Sequence, residues 1–285
     1  MPTLLDYRRR IRSVKSTQQV TRAMKFVSAA RLRRAQEKAM EARPYANAVT
    51  EIVRGLAARM EEPLHPLLAR RPEERILLVV ATGDRGLAGA FNSNAVRRGI
   101  EFLRSQADKQ LEVLPVGRKG REAFRRQKWT VMGEYVGITA RAEFAKAQEI
   151  AANIIEAYAG AKIDAVYLLF NEFKSVITQK MVFEKLFPIE PAEPEKSASQ
   201  VDYIYEQPAA ELLKGLMPRY VEARIYRMLA DSSAAEHAAR MTAMDAATNN
   251  AGDLIDSLTL EMNKIRQAAI TKEIIEVVSG ASWSA

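Results

Sequence analysis

The sequence predicts an α/β domain set between two long helices, one at each end of the chain, that pair as an antiparallel coiled coil. Three observations carry this. Apolar and small residues recur every three or four positions over both ends of the chain. In the middle that period gives way to short continuous apolar runs separated by helical text. Glycine (13 residues) and aromatics (7%) are scarce for a mostly β protein.

The N-terminal helix is predicted over residues 3–58. Its stripe runs Leu4, Tyr7, Ile11, Val14, polar Gln18 and Thr21, then Met24, Ser28, Leu32, Ala35, Ala39, Ala42, Ala46, Val49, Val53 and Leu56. Such a narrow stripe belongs to a coiled-coil strand more than to a globular surface helix. Pro44 is the one interior proline and a candidate bend. A helix of this length spans roughly 80 Å, more than a small domain buries.

In the middle, Arg75–Thr82, Gln110–Val116 and Ile163–Phe170 read as buried strands, and Ser175–Leu186 as a longer alternating one. Helices fill about 90–106, 118–128 and 141–160, which argues a largely parallel sheet with helices on its faces. Residues 188–200 read as a proline-rich loop and Asp202–Tyr205 as a short extended segment. The C-terminal helix is predicted over 209–281, with a stripe of His237, Met241, Met244, Thr248, Ala251, Ile255, Leu258, Met262, Ile265 and Ala269. The domains are therefore drawn at 1–60, 70–205 and 208–285. Small residues in both stripes let the two terminal helices approach closely.

Composition narrows function. The 285 residues are 48% hydrophobic and 27% charged, so the chain folds. Without cysteine there is no thiolate metal site, iron–sulfur cluster, disulfide or cysteine nucleophile. The two histidines, His65 and His237, are far apart in sequence, and His237 lies on the apolar stripe as a packed core residue. Met241 and Met244 are core, and the pairs Glu73/Glu74 and Glu273/Glu276 are solvated faces. No catalytic constellation, metal site or cofactor site emerges. The glycine-rich stretch Thr82–Asn92 follows a strand and precedes a helix, but matches neither G-x-G-x-x-G nor a phosphate loop ending in Gly-Lys-Ser/Thr. It reads as a tight structural turn. No stretch reaches the roughly 18–20 apolar residues of a membrane span, and the start lacks the apolar core of a secretory signal.

Charge is uneven. Residues 1–43 hold twelve Lys/Arg against three Asp/Glu, whereas the rest of the chain nearly balances. Arg8, Arg12, Lys15, Gln19 and Arg22 flank the apolar seam on one side. Uncompensated charge at this density repels itself and calls for an acidic partner. A basic coiled coil that binds nucleic acid is the alternative, although aromatic interleaving and a recognised binding module are missing.

Three segments resemble one family, the gamma subunit of the bacterial rotary F-type ATP synthase: Ile11–Val27, Ala239–Asn249 and Ile270–Ala281. The resemblance covers essentially the whole chain. It implies a non-catalytic central rotor shaft in a proton-translocating complex, made of the N- and C-terminal helices, with a Rossmann-like α/β domain as the foot. Its implied partners are the alpha and beta subunits of the catalytic head, the epsilon subunit and the c-ring, with no nucleic acid and no cofactor. Arg8, Arg9, Arg12, Met24 and Lys25 would then face the acidic lever of beta, and Arg240, Arg266, Gln267 and Thr271 its catch loops. Ile274, Ile275, Val277 and Val278 would turn in an apolar bearing, and Asp202, Tyr203 and Tyr205 would lie against epsilon and c. The implied location is peripheral, on the cytoplasmic face of a bacterial inner membrane, with membrane association through the complex only. Two departures stand out: Gly83 and Ala90 replace the family's common serine and glycine, and the tail carries the bulky Trp283.

Overall fold

The computed structural model describes residues 3–58, 65–139, 142–190 and 209–282. The loop at 191–200, the segment with Asp202, Tyr203 and Tyr205, and Trp283 lie outside the described residues. The chain forms two compact units, one of Met1–Val27 with Met241–Ala285 and one of Ser28–Arg240. Helix α1 (Leu4–Ala58) and helix α5 (Ala209–Ser282) each contribute to both.

Helix α1 opens on a reciprocal cap. The amide of Asp6 donates to Thr3 Oγ1, and the amide of Thr3 donates to Asp6 Oδ2 at 2.9 Å. The Thr3 amide and hydroxyl, both donating to Oδ2, hold the Asp6 carboxyl below its ordinary range. Pro44 sits inside α1 without ending it. Along α1 the predicted stripe is the buried face, from Tyr7 and Thr21 through Ser28, Leu32, Ala39, Ala46 and Val53 to Leu56.

In the larger unit, β1 (Arg75–Ala81), α2 (Phe91–Ser105), β2 (Gln110–Val116), α3 (Arg118–Arg126), β3 (Thr130–Val131), α4 (Phe144–Ala159), β4 (Ala165–Phe173) and β5 (Gln179–Phe187) alternate along the chain. The sheet order is β3-β2-β1-β4-β5, with β5 antiparallel to β4 and every other pair parallel. Arg75 pairs with Gln110 and Ile76 with Ala165, so β1 is central and fully buried from Ile76 onward. Its unbroken apolar text follows from helices covering both faces. Leu78 and Val80 pack with Ala95, Leu103 and Phe124 beneath α2 and α3. On α4, Ile150, Ile154 and Tyr158 are buried, and Tyr158 stacks on Phe187 at 4.5 Å.

Two boundaries differ from the sequence expectation. Strand β5 starts at Gln179 because Ser175 and Lys174 donate their amides to Thr178 O, closing a turn in place of the first predicted strand residues. Strand β4 extends to Phe173 to meet it. The two-residue β3 is too short to carry a period and was not expected.

Asp164, just before β4, ties three segments together. It accepts from Arg75 Nε at 2.9 Å, Arg75 Nη2 at 2.8 Å and the Arg75 amide at 3.0 Å, with Arg71 3.9 Å away. The Arg75 guanidinium above all holds its carboxyl below the usual aspartate range, against the cost of burial. A depressed carboxyl contributes stability above its unfolded pKa, about 3.9, that is lost as pH falls through the folded value. Asp164→Asn should therefore cost about 2 kcal/mol at neutral pH. In urea melts from pH 7 to pH 2, the gap between variant and parent should close as the acid limb is descended.

Candidate functional site

Polar side chains, not apolar ones alone, set the register of the helices in the smaller unit. Lys25 Nζ meets Asp245 Oδ1 at 2.6 Å. The hydroxyl of Thr248 donates to Thr21 Oγ1 at 2.8 Å, and Gln18 Nε2 donates to Thr248 O at 3.3 Å. Further out, the Tyr7 hydroxyl bonds to Glu261, which pushes its pKa up. As numbers rise on α1 they fall on α5, so the helices are antiparallel. Gly252 gives the close approach its room, since a Cβ there would lie 3.2 Å from Gln18 Nε2.

Outside that seam lie most of the residues singled out from sequence. Arg8, Arg9, Arg12, Arg266, Gln267 and Thr271 are exposed, whereas Met24 and Lys25 are half-buried. Lys25 is already engaged by Asp245, in a solvated bridge worth about 0.2–1 kcal/mol. Past the Tyr7–Glu261 bond α5 continues, and every residue from Ile270 to Ser279 is exposed. There Ile274, Ile275, Val277 and Val278 expose 57, 58, 71 and 63% of their surface. Four aliphatic side chains clustered in water on one helix end are an exposed apolar patch of the kind that marks an interaction site.

Arg240 is placed differently from these. It belongs to the larger unit and is 7% exposed, with Nη2 at 2.5 Å from Glu236 Oε1 and 3.3 Å from Gly86 O, and Nη1 at 3.4 Å from His237 Nδ1. His237 is indeed a core residue, hydrogen-bonded within the fold.

The carbonyl of Gly86 belongs to the glycine-rich turn, and that turn lies at the C-terminal ends of β1 and β2. In open α/β sheets this crevice is where ligands bind. Here the protein fills it with its own groups. Asp84 Oδ1 accepts from the Arg118 amide at the start of α3 (3.0 Å) and from the Gly137 amide (2.8 Å), while Oδ2 accepts from Thr139 Oγ1 (2.9 Å). The carboxylate thus stands at a helix N-terminus where a phosphate would otherwise sit. Gly117, at φ +102°, admits no side chain, because a Cβ would fall 2.1 Å from Thr82 O. The carboxyl end of Glu236 lies 2.7 Å from where a Cβ on Gly83 would be, so a serine there would displace it. The tight-turn reading of this loop holds. Among the described residues no group of acidic and histidine side chains could hold a metal ion, and no helix is long and apolar enough to cross a membrane.

The sequence reading missed the buried ionic residues Asp231 and Glu236. Their signal is that α5 between Tyr220 and His237 is small or apolar on nearly every face, the mark of a helix enclosed on all sides. It also missed a second basic region. From residue 91 to 128, ten Lys/Arg face four Asp/Glu, and most of them line α2 and α3. Averaged over the chain outside residues 1–43, that excess vanishes.

A family model described as ATP synthase matches residues 3–282. The ATP synthase gamma chain of Solibacter usitatus is 51% identical over 99% of both chains. That of Pelotomaculum thermopropionicum is 48% identical, again over 99% of each. Among solved structures, a chain of the central stalk and c-ring of Tetrahymena thermophila mitochondrial ATP synthase is 25% identical. It covers 80% of this chain and 99% of its own, with a TM-score of 0.61. A rotor chain of the Euglena gracilis mitochondrial enzyme, 18% identical over 94% of this chain and 98% of its own, shares the fold with a TM-score of 0.65.

Removing the carboxylate from the turn should destabilise the fold without creating a nucleotide site. Asp84→Ala takes this acceptor from the amides of Arg118, Gly137 and Thr139 and from the Thr139 hydroxyl, for a loss of about 1–3 kcal/mol in chemical denaturation. ATP should bind the folded variant no more tightly than the parent in calorimetric titration, because Glu236, Arg240 and the Gly117 backbone still fill the crevice.

Proposed function

This chain belongs to the ATP synthase gamma-chain family and is the non-catalytic rotor shaft of that enzyme; from that premise we propose how its surfaces divide the work. The observation that carries the proposal is the end of α5, where Ile274, Ile275, Val277 and Val278 are exposed. An aliphatic surface that slides against other apolar walls makes no directional bonds that rotation would have to break. It serves as a bearing inside the catalytic head of alpha and beta subunits.

The exposed Arg8, Arg9 and Arg12 on α1, with Arg266, Gln267 and Thr271 on α5, form the polar face that pushes on beta. Because α1 carries the basic excess, the helix pair is charged on one side. Each beta subunit therefore meets a different face as the shaft turns, and three chemically equal sites hold three different nucleotide affinities. Ions crossing the membrane supply about 2.3 kcal/mol per charge per 100 mV to turn the rotor. That work is delivered as conformational change in beta, where product release is the step it drives. Met24 and Lys25 contribute as a half-buried shoulder of the same face.

The α/β unit is the foot, docked on the c-ring and on epsilon, with Asp202, Tyr203 and Tyr205 at that contact. Arg240 acts here from the inside, holding the glycine-rich turn on α5, and reaches beta only if its bond to Glu236 opens. In a cell the subunit sits at the cytoplasmic face of the bacterial membrane and is held there by the complex.

Charge reversal tests the polar face. Arg8→Glu, Arg9→Glu and Arg12→Glu together should leave the far-ultraviolet circular dichroism unchanged. ATP-driven ion pumping in vesicles carrying the assembled enzyme should fall by roughly tenfold, the scale of ~1.4 kcal/mol of lost coupling. Normal pumping would remove these residues from the drive surface. For the bearing, Ile274→Ser with Val278→Ser should reduce the yield of a stoichiometric complex with alpha and beta. Full assembly and full activity would count against that role.

A further inference from the structure

Gly83 is not a glycine that its own backbone requires. Positive φ falls at Gly89, Gly117 and Gly137 and not at Gly83, so a side chain there would meet no backbone strain. What excludes a side chain is one neighbour. A Cβ at position 83 would lie 2.7 Å from the carboxyl carbon of Glu236 and 2.8 and 2.9 Å from its two oxygens. We propose that the bare Gly83 seats the Glu236 carboxylate beneath the glycine-rich turn, and that Glu236 so placed keeps the Arg240 guanidinium latched inward, away from any acidic partner.

Of the two sides of this contact, only one can yield. The Gly83 amide donates to Asn92 Oδ1 at 2.7 Å, and its carbonyl accepts from the Lys119 amide at 3.1 Å. Glu236 meets it with the far end of a flexible side chain, which can swing aside. The seat is a hard one for a carboxylate. Glu236 is 4% exposed, and burial above all pushes its carboxyl up, opposed by Arg240 and helped by the charge of Asp84. Among the described residues, Arg240 is the one cation bonded to it.

Arg240 depends on that bond in turn. Its Nη2 lies 2.5 Å from Glu236 Oε1, whereas its bonds to the Arg85 and Gly86 carbonyls and to His237 Nδ1 run from 3.3 to 3.5 Å. Those longer contacts are at the weak end of hydrogen bonding, and one short charged bond carries the hold. With the carboxylate pushed aside, the buried guanidinium keeps no counter-charge, a costly state that ends when it turns to water. A methyl group at position 83 therefore acts on Arg240 through Glu236. Gly83 and Glu236 are positioning residues. The latch stands on this geometry alone; only its consequence for beta rests on the part given to Arg240 above.

The test is the reaction of the purified full chain with phenylglyoxal, which modifies accessible guanidinium groups, followed at Arg240 by peptide mass spectrometry. Arg240 should react slowly in the parent and faster in Gly83→Ala, by roughly fivefold or more. Glu236→Ala should release it as far, and adding Gly83→Ala to Glu236→Ala should change nothing further, because both act on one bond. Gly86→Ala, where a Cβ meets nothing within 4 Å, should leave Arg240 slow. Arg224, equally buried at 7% exposure and outside the latch, should stay slow throughout and reports an intact fold. An unreactive Arg240 in folded Gly83→Ala, additive effects in the double variant, or equal release by Gly86→Ala overturns the proposal. If Gly83→Ala does not fold, Glu236→Gln decides, since it adds no atoms to the crevice; Arg240 unreactive there overturns it too. In complexes with alpha and beta, Gly83→Ala should change ATP hydrolysis by roughly twofold or more, and should add nothing to Arg240→Ala. A reactive Arg240 with unchanged hydrolysis would uphold the latch and remove only the part of Arg240 at beta.

Discussion

A helix enclosed on every side must find a counter-charge for each ionic side chain it carries, and that demand organises the larger unit. Between Tyr220 and Arg240, α5 has almost no solvent-facing side. Yet it holds Arg224, Arg227, Asp231, Glu236 and Arg240. Each reaches sideways. Arg224 Nη2 meets Glu184 of β5 at 2.7 Å, and Arg227 bridges Asn47 of α1 and Glu172 of β4. Asp231, 0% exposed, takes Arg43 of α1 at 2.5 Å and Arg227 at 3.6 Å. Burial pushes the Asp231 carboxyl above its ordinary range even so. Arg43 also donates to the carbonyl of Phe173, the last residue of β4.

Buried ion pairs of this kind add little net stability relative to a well-packed apolar core, but breaking one is expensive, at about 3–5 kcal/mol. They act as directional fasteners. Apolar contacts allow the helices and the sheet edge to shear past one another, whereas the Arg43–Asp231–Arg227–Glu172 chain admits one arrangement. For a part that must carry torque from a sheet domain into a helix pair, that rigidity is what matters. The smaller unit is built the opposite way. Its seam is thin, its polar rungs are half-solvated, and its outer surfaces are exposed.

Much of this was legible in sequence because it is periodic. The stripe from Tyr7 to Leu56 is the buried face of α1, the spacing His237–Met244–Thr248–Ala251–Leu258 is the inner face of α5, and β2 falls on its predicted residues. The exposure of Ile274 to Val278 follows from a helix outrunning its partner, which lengths alone suggest. What sequence did not disclose depends on contacts between residues far apart in the chain. Nothing local says that Asp84 will cap α3, that Arg240 will turn inward to Glu236 and Gly86, or that Asp231 will sit beneath Arg43. The basic character of α2 and α3 is hidden for another reason: over the chain beyond residue 43 it is offset by acidic residues elsewhere.

The rungs between Tyr7 and Lys25 have a mechanical meaning. They span about 27 Å of helix, and each pins one residue of α1 to one residue of α5. Two strands held by grease alone could slip by a heptad under repeated load, and a coupling that slips loses its zero. Hydroxyl to hydroxyl at Thr21 and Thr248, and ammonium to carboxylate at Lys25 and Asp245, make a keyed joint in place of a frictional one. Such a joint does not creep, so the phase set at assembly is kept through every later cycle.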